Sequence, residues 1–371
     1  MNGIYIKRRE ALRKCMVERG VQKALIGKPQ NIFYLTGINI NPYERFLGLL
    51  MDVESQSLTI ILPSLDKGAG KKNGLFEVLI NDNEHPVHKL VNLFGDSHQI
   101  GIEMAYFPMS LGDHIRKYSN KVELIDISSE IDCLRIYKDA DEIEKICAAA
   151  RISDLILGQA EKSIRPGRRE KEILFELLEG MSEQPGVIID SFIIQVLSGD
   201  RSANPHGSAG DRKFQKGDPV TIDFGVNYEH YWSDCSRTFF VGKPDPRLEE
   251  IYKVVLEAQL AAIEKVRPGV LIKDIDITAR QVIENAGFGK FFIHRTGHGI
   301  GIDIHEDPKV HGENEGILKA GMVFTIEPGI YIPQLGGVRI EDDIVVTENG
   351  YLIPNKYPKE FQDMVLDYDL L

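Results

Sequence analysis

The chain repeats itself, and that repetition limits the folds open to it. EKSIRPG at Glu161 to Gly167 returns as EKVRPG at Glu264 to Gly269. VTID ending at Asp223 returns as FTIE ending at Glu327, and His206 in NPHG is echoed by His305 in DIHE. The offsets are 102 residues for Pro166 to Pro268, 104 for Asp223 to Glu327 and 99 for His206 to His305. Three landmarks at nearly one spacing predict two halves of similar build, each running helix, helix, strand, hairpin. Folded about a pseudo-twofold axis, such halves bring their hairpins face to face, and Asp223 meets Glu327 in the middle.

Those acids keep unusual company. Asp223 closes the apolar run PVTID and Glu327 closes MVFTIE. Asp234 lies in the return strand HYWSDCSRTFFV, and Glu341 in GGVRIEDDIVV. A carboxylate inside an apolar strand is costly to bury without a partner. The same arrangement twice in register points to a shared cation. A nitrogen donor is at hand in HRTGHGIGIDIHE, His294 to Glu306, where Gly297, Gly299 and Gly301 let the backbone pass close to a compact centre. A His- and Gly-rich stretch alone is as often a surface loop; the acids decide for a site. The candidate ligands are therefore Asp223, Asp234, His298, Glu327 and Glu341. Four carboxylates and a neutral imidazole balance two divalent ions, with room for one hydroxide. An oxygen-rich set with one nitrogen favours Mn2+, Co2+ or Fe2+ over the sulfur-rich sites of structural zinc. Hydrolysis is the natural chemistry, because coordination pulls the pKa of water towards ~7 and polarises a carbonyl.

The first third reads differently. A helical stripe at Lys7 to Arg19 precedes strand-like runs at Ala24–Ile26, Leu47–Val53, Ser57–Leu62, Phe76–Ile80, Ile100–Glu103 and Val122–Ile125. This predicts an α/β N-terminal domain over 1–128, a connector over 129–138 and the repeated α+β unit over 139–371. Asp139 with Glu142 forms a capping box for a helix reaching about Ile164. A second helix follows at Arg169–Met181, and a strand at Val187–Leu197. A net charge of −12 argues against nucleic acid or an anionic membrane as partner. Four scattered cysteines, no signal-like apolar run and no membrane-length segment predict a cytoplasmic protein.

The residues DFG (223–225), SDCSRT (233–238), HRTGHGIGIDIHE (294–306), EPG (327–329) and GVRIED (337–342) resemble the pita-bread metallopeptidases of the M24 type, in the Xaa-Pro dipeptidase and aminopeptidase P branch. The likeness covers roughly residues 140 to 360, with all five ligand positions in order. It implies that Asp223 holds one metal, that His298 and Glu327 hold the other, and that Asp234 and Glu341 bridge. It further implies Glu327 as general base on a bridging hydroxide and His206 and His305 as groups that orient substrate. Arg339 would hold carboxylates in place, and His294 would line the pocket; a satisfied histidine at a strand edge is the plainer reading of the latter. Mn2+ or Co2+ is the expected pair, with Fe2+ or Zn2+ as alternatives. NIFYLTG (31–37) is similar to the N-terminal domain of prolidases, aminopeptidases P and creatinase. That domain implies a homodimer and small peptides with Pro in second position as substrates. The resemblance thus implies an Xaa-Pro dipeptidase. Aminopeptidase P activity on longer peptides is the nearest alternative, and a non-catalytic binding module on the same fold a remote one.

Overall fold

Short apolar runs in the first third become strands, and the longer polar stretches between them become helices. The computed structural model of the chain describes residues 3–189 and 194–367. The chain divides into two compact units, Met1–Arg135 and Ile136–Leu371. In the first, six strands form one sheet in the order Phe76–Ile80, Leu58–Pro63, Gly48–Asp52, Lys23–Ile26, Gln99–Ile102, Glu123–Asp126. Gly48–Asp52 runs antiparallel to both neighbours, and all other pairings are parallel. The helix Gly3–Glu18 buries Leu12 and Met16.

NIFYLTG forms most of the helix Pro29–Thr36, with Pro in its first turn and Gly37 at its end. Gly37 has φ 75°, and its N–H caps the carbonyl of Phe33, a left-handed ending that favours glycine. Asn31 is wholly buried. Its amide donates to Glu103, and its carbonyl accepts from Arg135 Nη1 at 2.7 Å. Glu103 also accepts the N–H groups of Gly27 and Lys28, each at 2.9 Å. The motif is thus a hydrogen-bonded node reaching far along the chain. Residues 129–138 are not a bare connector, since Ser128–Ile136 is a helix. Its polar composition hides a buried stripe at Ile131 and Arg135, and Asp126 caps it by accepting Ser128 N–H at 3.0 Å.

The second unit carries the repeat. Its first half sets helices Ala140–Glu161 and Glu170–Ser182 against the hairpin Pro219–Tyr228/Tyr231–Val241. The Asp139–Glu142 capping box is present. Glu229 and His230, with φ 46° and 72°, make the two-residue turn whose twist suits a hairpin. The second half repeats the pair as Pro246–Glu264 and Ile272–Asn285, followed by the strands Val323–Ile326, Gly329–Ile332, Gly336–Arg339 and Asp342–Thr347. Gly167 and Gly269, the repeated glycines, have φ 88° and 91°. Their N–H groups donate to Phe214 and Leu318 carbonyls, both at 2.9 Å. The strand expected over 187–197 is ordered at Val187–Ile188 and Gln195–Ser198; residues 190–193 of it lie outside the described residues. A single apolar core, including Phe224, Phe239, Phe324 and Ile344, runs through both halves.

The hairpins differ where it matters. The first is continuous, so Asp223 lies inside its strand rather than at the end. The second keeps one register but opens at Glu327-Pro328 and Ile340-Glu341. Pro328 has no N–H to give to a ladder. Glu327 N–H turns instead to Thr296 O at 2.8 Å, and Glu341 N–H to Ser236 O at 3.1 Å. The second of these joins the two hairpins edge to edge. Among the described residues no helix is long and apolar enough to cross a membrane.

Replacing Asn31 with Ala removes one partner from Glu103 and one from Arg135. Urea unfolding monitored on the N-terminal unit is expected to show a loss of about 1–3 kcal/mol, with metal binding by the other unit unchanged.

Candidate metal centre

Strand periodicity aims the acids. Asp223 is paired with Ser236, and Asp234 with Gly225, so all four positions share one face of the first hairpin. Glu327 and Glu341 stand at the gap of the second hairpin, beside Ser236. His298 comes from Gly297–Gly299, a short strand held against Val323–Ile326. A Cβ at Gly297 would lie 1.9 Å from Thr325 O, so only glycine permits that approach.

The five expected ligands come together. Donor atoms of Asp223, Asp234 and Glu341 lie within 4.8 Å of one another, as do those of His298, Glu327 and Glu341. Asp234, His298 and His305 form a third such group. Asp234, His298 and Glu341 thus each belong to two groups. His298 Nε2 is 3.3 Å from Glu327 Oε1 and 3.8 Å from Asp234 Oδ2. Its Nδ1 faces the carbonyl of Gly299 at 3.1 Å, which fixes a tautomer with Nε2 free to donate electrons.

The donor set fits divalent cations. Asp234, His298 and Glu341 are 3%, 3% and 2% exposed. Arg339 is the guanidinium in contact with the acids, pairing with Asp223. One such cation against four carboxylates leaves a buried negative excess. Burial, then the neighbouring carboxylates, push Asp234 and Glu341 well above the usual range. Burial also lifts Glu327 to about 7, against the pull of Arg339. Protons or metal must supply the missing positive charge. Burial, with His305 beside it, holds His298 well below its ordinary value, so it is a neutral imidazole as a ligand must be.

Around these stand groups that hold them. Ser236 Oγ donates to Glu341 Oε2 at 2.7 Å and accepts from Arg339 Nε at 2.9 Å. Arg339 Nη1 donates to the Tyr331 hydroxyl at 2.9 Å, and that hydroxyl meets His294 Nε2 at 2.9 Å. His294 Nδ1 lies 2.7 Å from Arg295 O. Both ring nitrogens of His294 are therefore engaged within the protein, and burial, aided by Arg339, lowers its pKa to about 4. Asp343, fully buried, accepts Asp234 N–H through both oxygens at 3.3 and 3.2 Å. His305 is exposed on a bend, its ring edge-on to His298 at 4.1 Å. His206 lies exposed in a turn, outside the donor groups, near enough for its charge to lower both His294 and His305. Sequence reasoning missed Ser236 and Tyr331. Two-residue counting from Asp234 and from Glu327 along their strands finds both.

A continuous duplicated fold around such a cluster defines a metallohydrolase. The chain belongs to metallopeptidase family M24, whose pattern matches residues 144–348, and the Creatinase/Prolidase N-terminal domain matches residues 8–137. It is 38% identical over 344 residues to the Xaa-Pro dipeptidase of Pyrococcus furiosus, covering 93% of this chain and 96% of that one. The prolidase of Pyrococcus horikoshii OT3 superposes with a TM-score of 0.89 at 34% identity, over 96% of this chain and 99% of that one. The X-Pro aminopeptidase of Thermotoga maritima MSB8 gives 0.85 at 32%, over 95% and 98%.

Glu327 binds its proton more tightly in the fold than in the unfolded chain, where a carboxyl titrates near 4.5. Its contribution is intact below that value and is lost as pH rises through about 7. Metal-stripped protein is therefore expected to melt roughly 5–10 °C lower at pH 8 than at pH 5.5, and Mn2+ to abolish the difference. Equal melting of the stripped protein at both values would contradict the charge argument.

Proposed function

We propose that the protein is an Xaa-Pro dipeptidase acting through two divalent ions, Mn2+ or Co2+. The observation that carries this is similarity to dipeptidases along both units, joined to a complete acid–imidazole set. Asp223, Asp234 and Glu341 would hold one ion, and His298 and Glu327 the other, with Asp234 and Glu341 shared between them. Bound there, the ions would polarise the scissile carbonyl and lower the pKa of water.

The chain's own residues do the rest. Glu327 would take a proton from the attacking water and return it to the leaving nitrogen. His305, whose ring lies edge-on to His298, and the exposed His206 would orient substrate. Arg339 and Ser236 keep Asp223 and Glu341 in place. An Xaa-Pro bond lacks an N–H and has a fixed φ, so enzymes that grip extended backbone handle it poorly. A buried site that recognises the ring avoids that difficulty. In the same reading the protein is a cytoplasmic homodimer acting on small peptides.

Similarity to an X-Pro aminopeptidase supports a second reading, removal of one residue from longer chains. Ala-Pro and Ala-Pro-Ala, assayed with Mn2+ and with Co2+, separate the two. Turnover of Ala-Pro is expected, and an enzyme that cuts only Ala-Pro-Ala would reverse the assignment. Glu327→Gln is expected to lower kcat by roughly 10^2–10^4-fold. Near-normal turnover in that variant would remove Glu327 as the base.

A further inference from the structure

A lysine and a glutamate meet inside the second unit with almost no water around them. Lys138 Nζ lies 2.6 Å from Glu306 Oε1, and their side chains are 1% and 8% exposed. Such a pair adds little stability, because desolvating both charges costs most of what their attraction returns. What it does supply is direction, since each charge can settle only where the other stands. Neither residue belongs to the metal-donor groups, yet Glu306 follows His305 directly.

Both ends of the pair are anchored. Lys138 N–H donates to Gly321 O at 2.8 Å, and Tyr137 bridges to Met322, beside the strand Val323–Ile326. Glu306 closes the segment 300–306. The other end of that segment is fixed by Ile300 N–H on Val323 O at 3.2 Å and by Trp232 N–H on Gly301 O at 2.8 Å. A Cβ at Gly301 would lie 2.5 Å from Glu306 Oε1 and 3.0 Å from Lys138 Cε, so glycine leaves the space that the pair occupies. Between the anchors Ile304 rests on Gly225, the ladder partner of Asp234; a Cβ there would come within 2.6 Å of Ile304 Cδ1. The segment is thereby seated on the first hairpin, with the His305 ring edge-on to His298 at 4.1 Å.

We propose that Lys138 and Glu306 are positioning residues, whose ion pair locks the segment 300–306 and so holds the His305 ring where substrate is oriented; the inference rests on the Xaa-Pro dipeptidase reading. His305 is exposed, so packing around its ring cannot fix it, and its backbone must. The Glu306 carboxylate has a second hold on that backbone, accepting Asp303 N–H at 3.4 Å. Misplacing a group that orients substrate by about 1 Å can cost on the order of 100-fold in rate. A brace for stability alone behaves differently from a positioning pair. Removing one charge strands the other in the interior and also frees the segment. Replacing both by apolar side chains relieves the stranded charge, but the segment stays free. Stability and turnover then part company.

The test measures Ala-Pro turnover and melting on Mn2+-loaded full-length enzyme for Lys138→Met, Glu306→Gln and the double variant Lys138→Met/Glu306→Leu, each with His305 present and in a His305→Ala background. Lys138→Met is expected to melt roughly 5–15 °C below wild type and to lose about 10–100-fold in kcat/KM. The double variant should melt near wild type and remain slow, and it carries the comparison if Lys138→Met does not fold. In the His305→Ala background the same substitutions should cost less than about 2-fold, since they act through a ring that is no longer there. Turnover that recovers together with melting in the double variant, or equal losses with and without His305, would overturn the assignment. So would a fall in Mn2+ affinity, read by calorimetry, that matches the lost turnover. A readout without substrate is the Cε1–H resonance of His305 in Zn2+-loaded protein, assigned by its loss in His305→Ala. It should be single in wild type and broadened or split in the double variant; an unchanged resonance would count against the lock. Failure of the wild type to cut any Xaa-Pro dipeptide would sink the functional reading, and this resonance would then judge the pair by itself.

Discussion

Four carboxylates share a space from which water is largely excluded, and the rest of the second unit is arranged to keep them there. Two like charges about 4 Å apart repel by about 4 kcal/mol at the effective dielectric near a protein surface. Several such pairs exceed what Arg339 alone can offset. A chain free to relax would splay the acids into solvent. This one cannot, because each acid sits in or beside a strand whose opposite face is committed to the apolar core. The strain between packing and charge is what makes the centre a cation trap. Metal affinity here is the measure of that unrelieved repulsion, so binding and folding are coupled.

The duplicated architecture supplies the geometry, and its one asymmetry supplies the access. If both hairpins were continuous, their facing edges would close on themselves and the acids would pair only within a hairpin. Opening the second ladder frees the N–H of Glu341 to reach Ser236 and that of Glu327 to reach Thr296. The first contact fuses the hairpins, and the second pins the strand that delivers His298. Arg237 reinforces the seam from the core side, donating to Ser236 O at 3.0 Å and to Glu341 O at 2.6 Å. A single buried guanidinium thus holds the backbone of both halves at the point where their ligands meet.

The parts legible in the sequence were those where one residue breaks a local rule. An acid in an apolar strand is costly anywhere, so Asp223, Asp234, Glu327 and Glu341 announced themselves, and the Asp139–Glu142 cap needed only spacing. Ser236 and Tyr331 broke no rule, because neutral residues with hydroxyls are ordinary in strands. Their roles appear only once the ladder register puts them beside ligands. The helix Ser128–Ile136 was hidden because its few buried positions are spread through a polar run. Asn31 depends on Glu103 and Arg135, partners too distant in sequence for any local pattern to join. The opened ladder was signalled by Pro328, yet a proline after a strand reads equally well as its end.

Adjacent acids in one strand show why burial by itself does not identify a functional group. Asp342 is 1% exposed, as hidden as Glu341 beside it. Strand alternation turns it to the other face, where Arg237 Nη2 donates at 2.7 Å, Lys359 Nζ at 2.6 Å and Gln259 Nε2 at 3.1 Å. Burial raises its pKa, but Arg237 and Lys359 outweigh burial and hold it below the usual range. Glu341 faces carboxylates instead and is driven up. One neighbour is a saturated ion pair that fastens the seam, and the other is a charge awaiting compensation. The distinction lies in whether the protein has already supplied the counter-charge. By that criterion Asp234, Glu327 and Glu341 are set apart from Asp342 among the acids lining these strands.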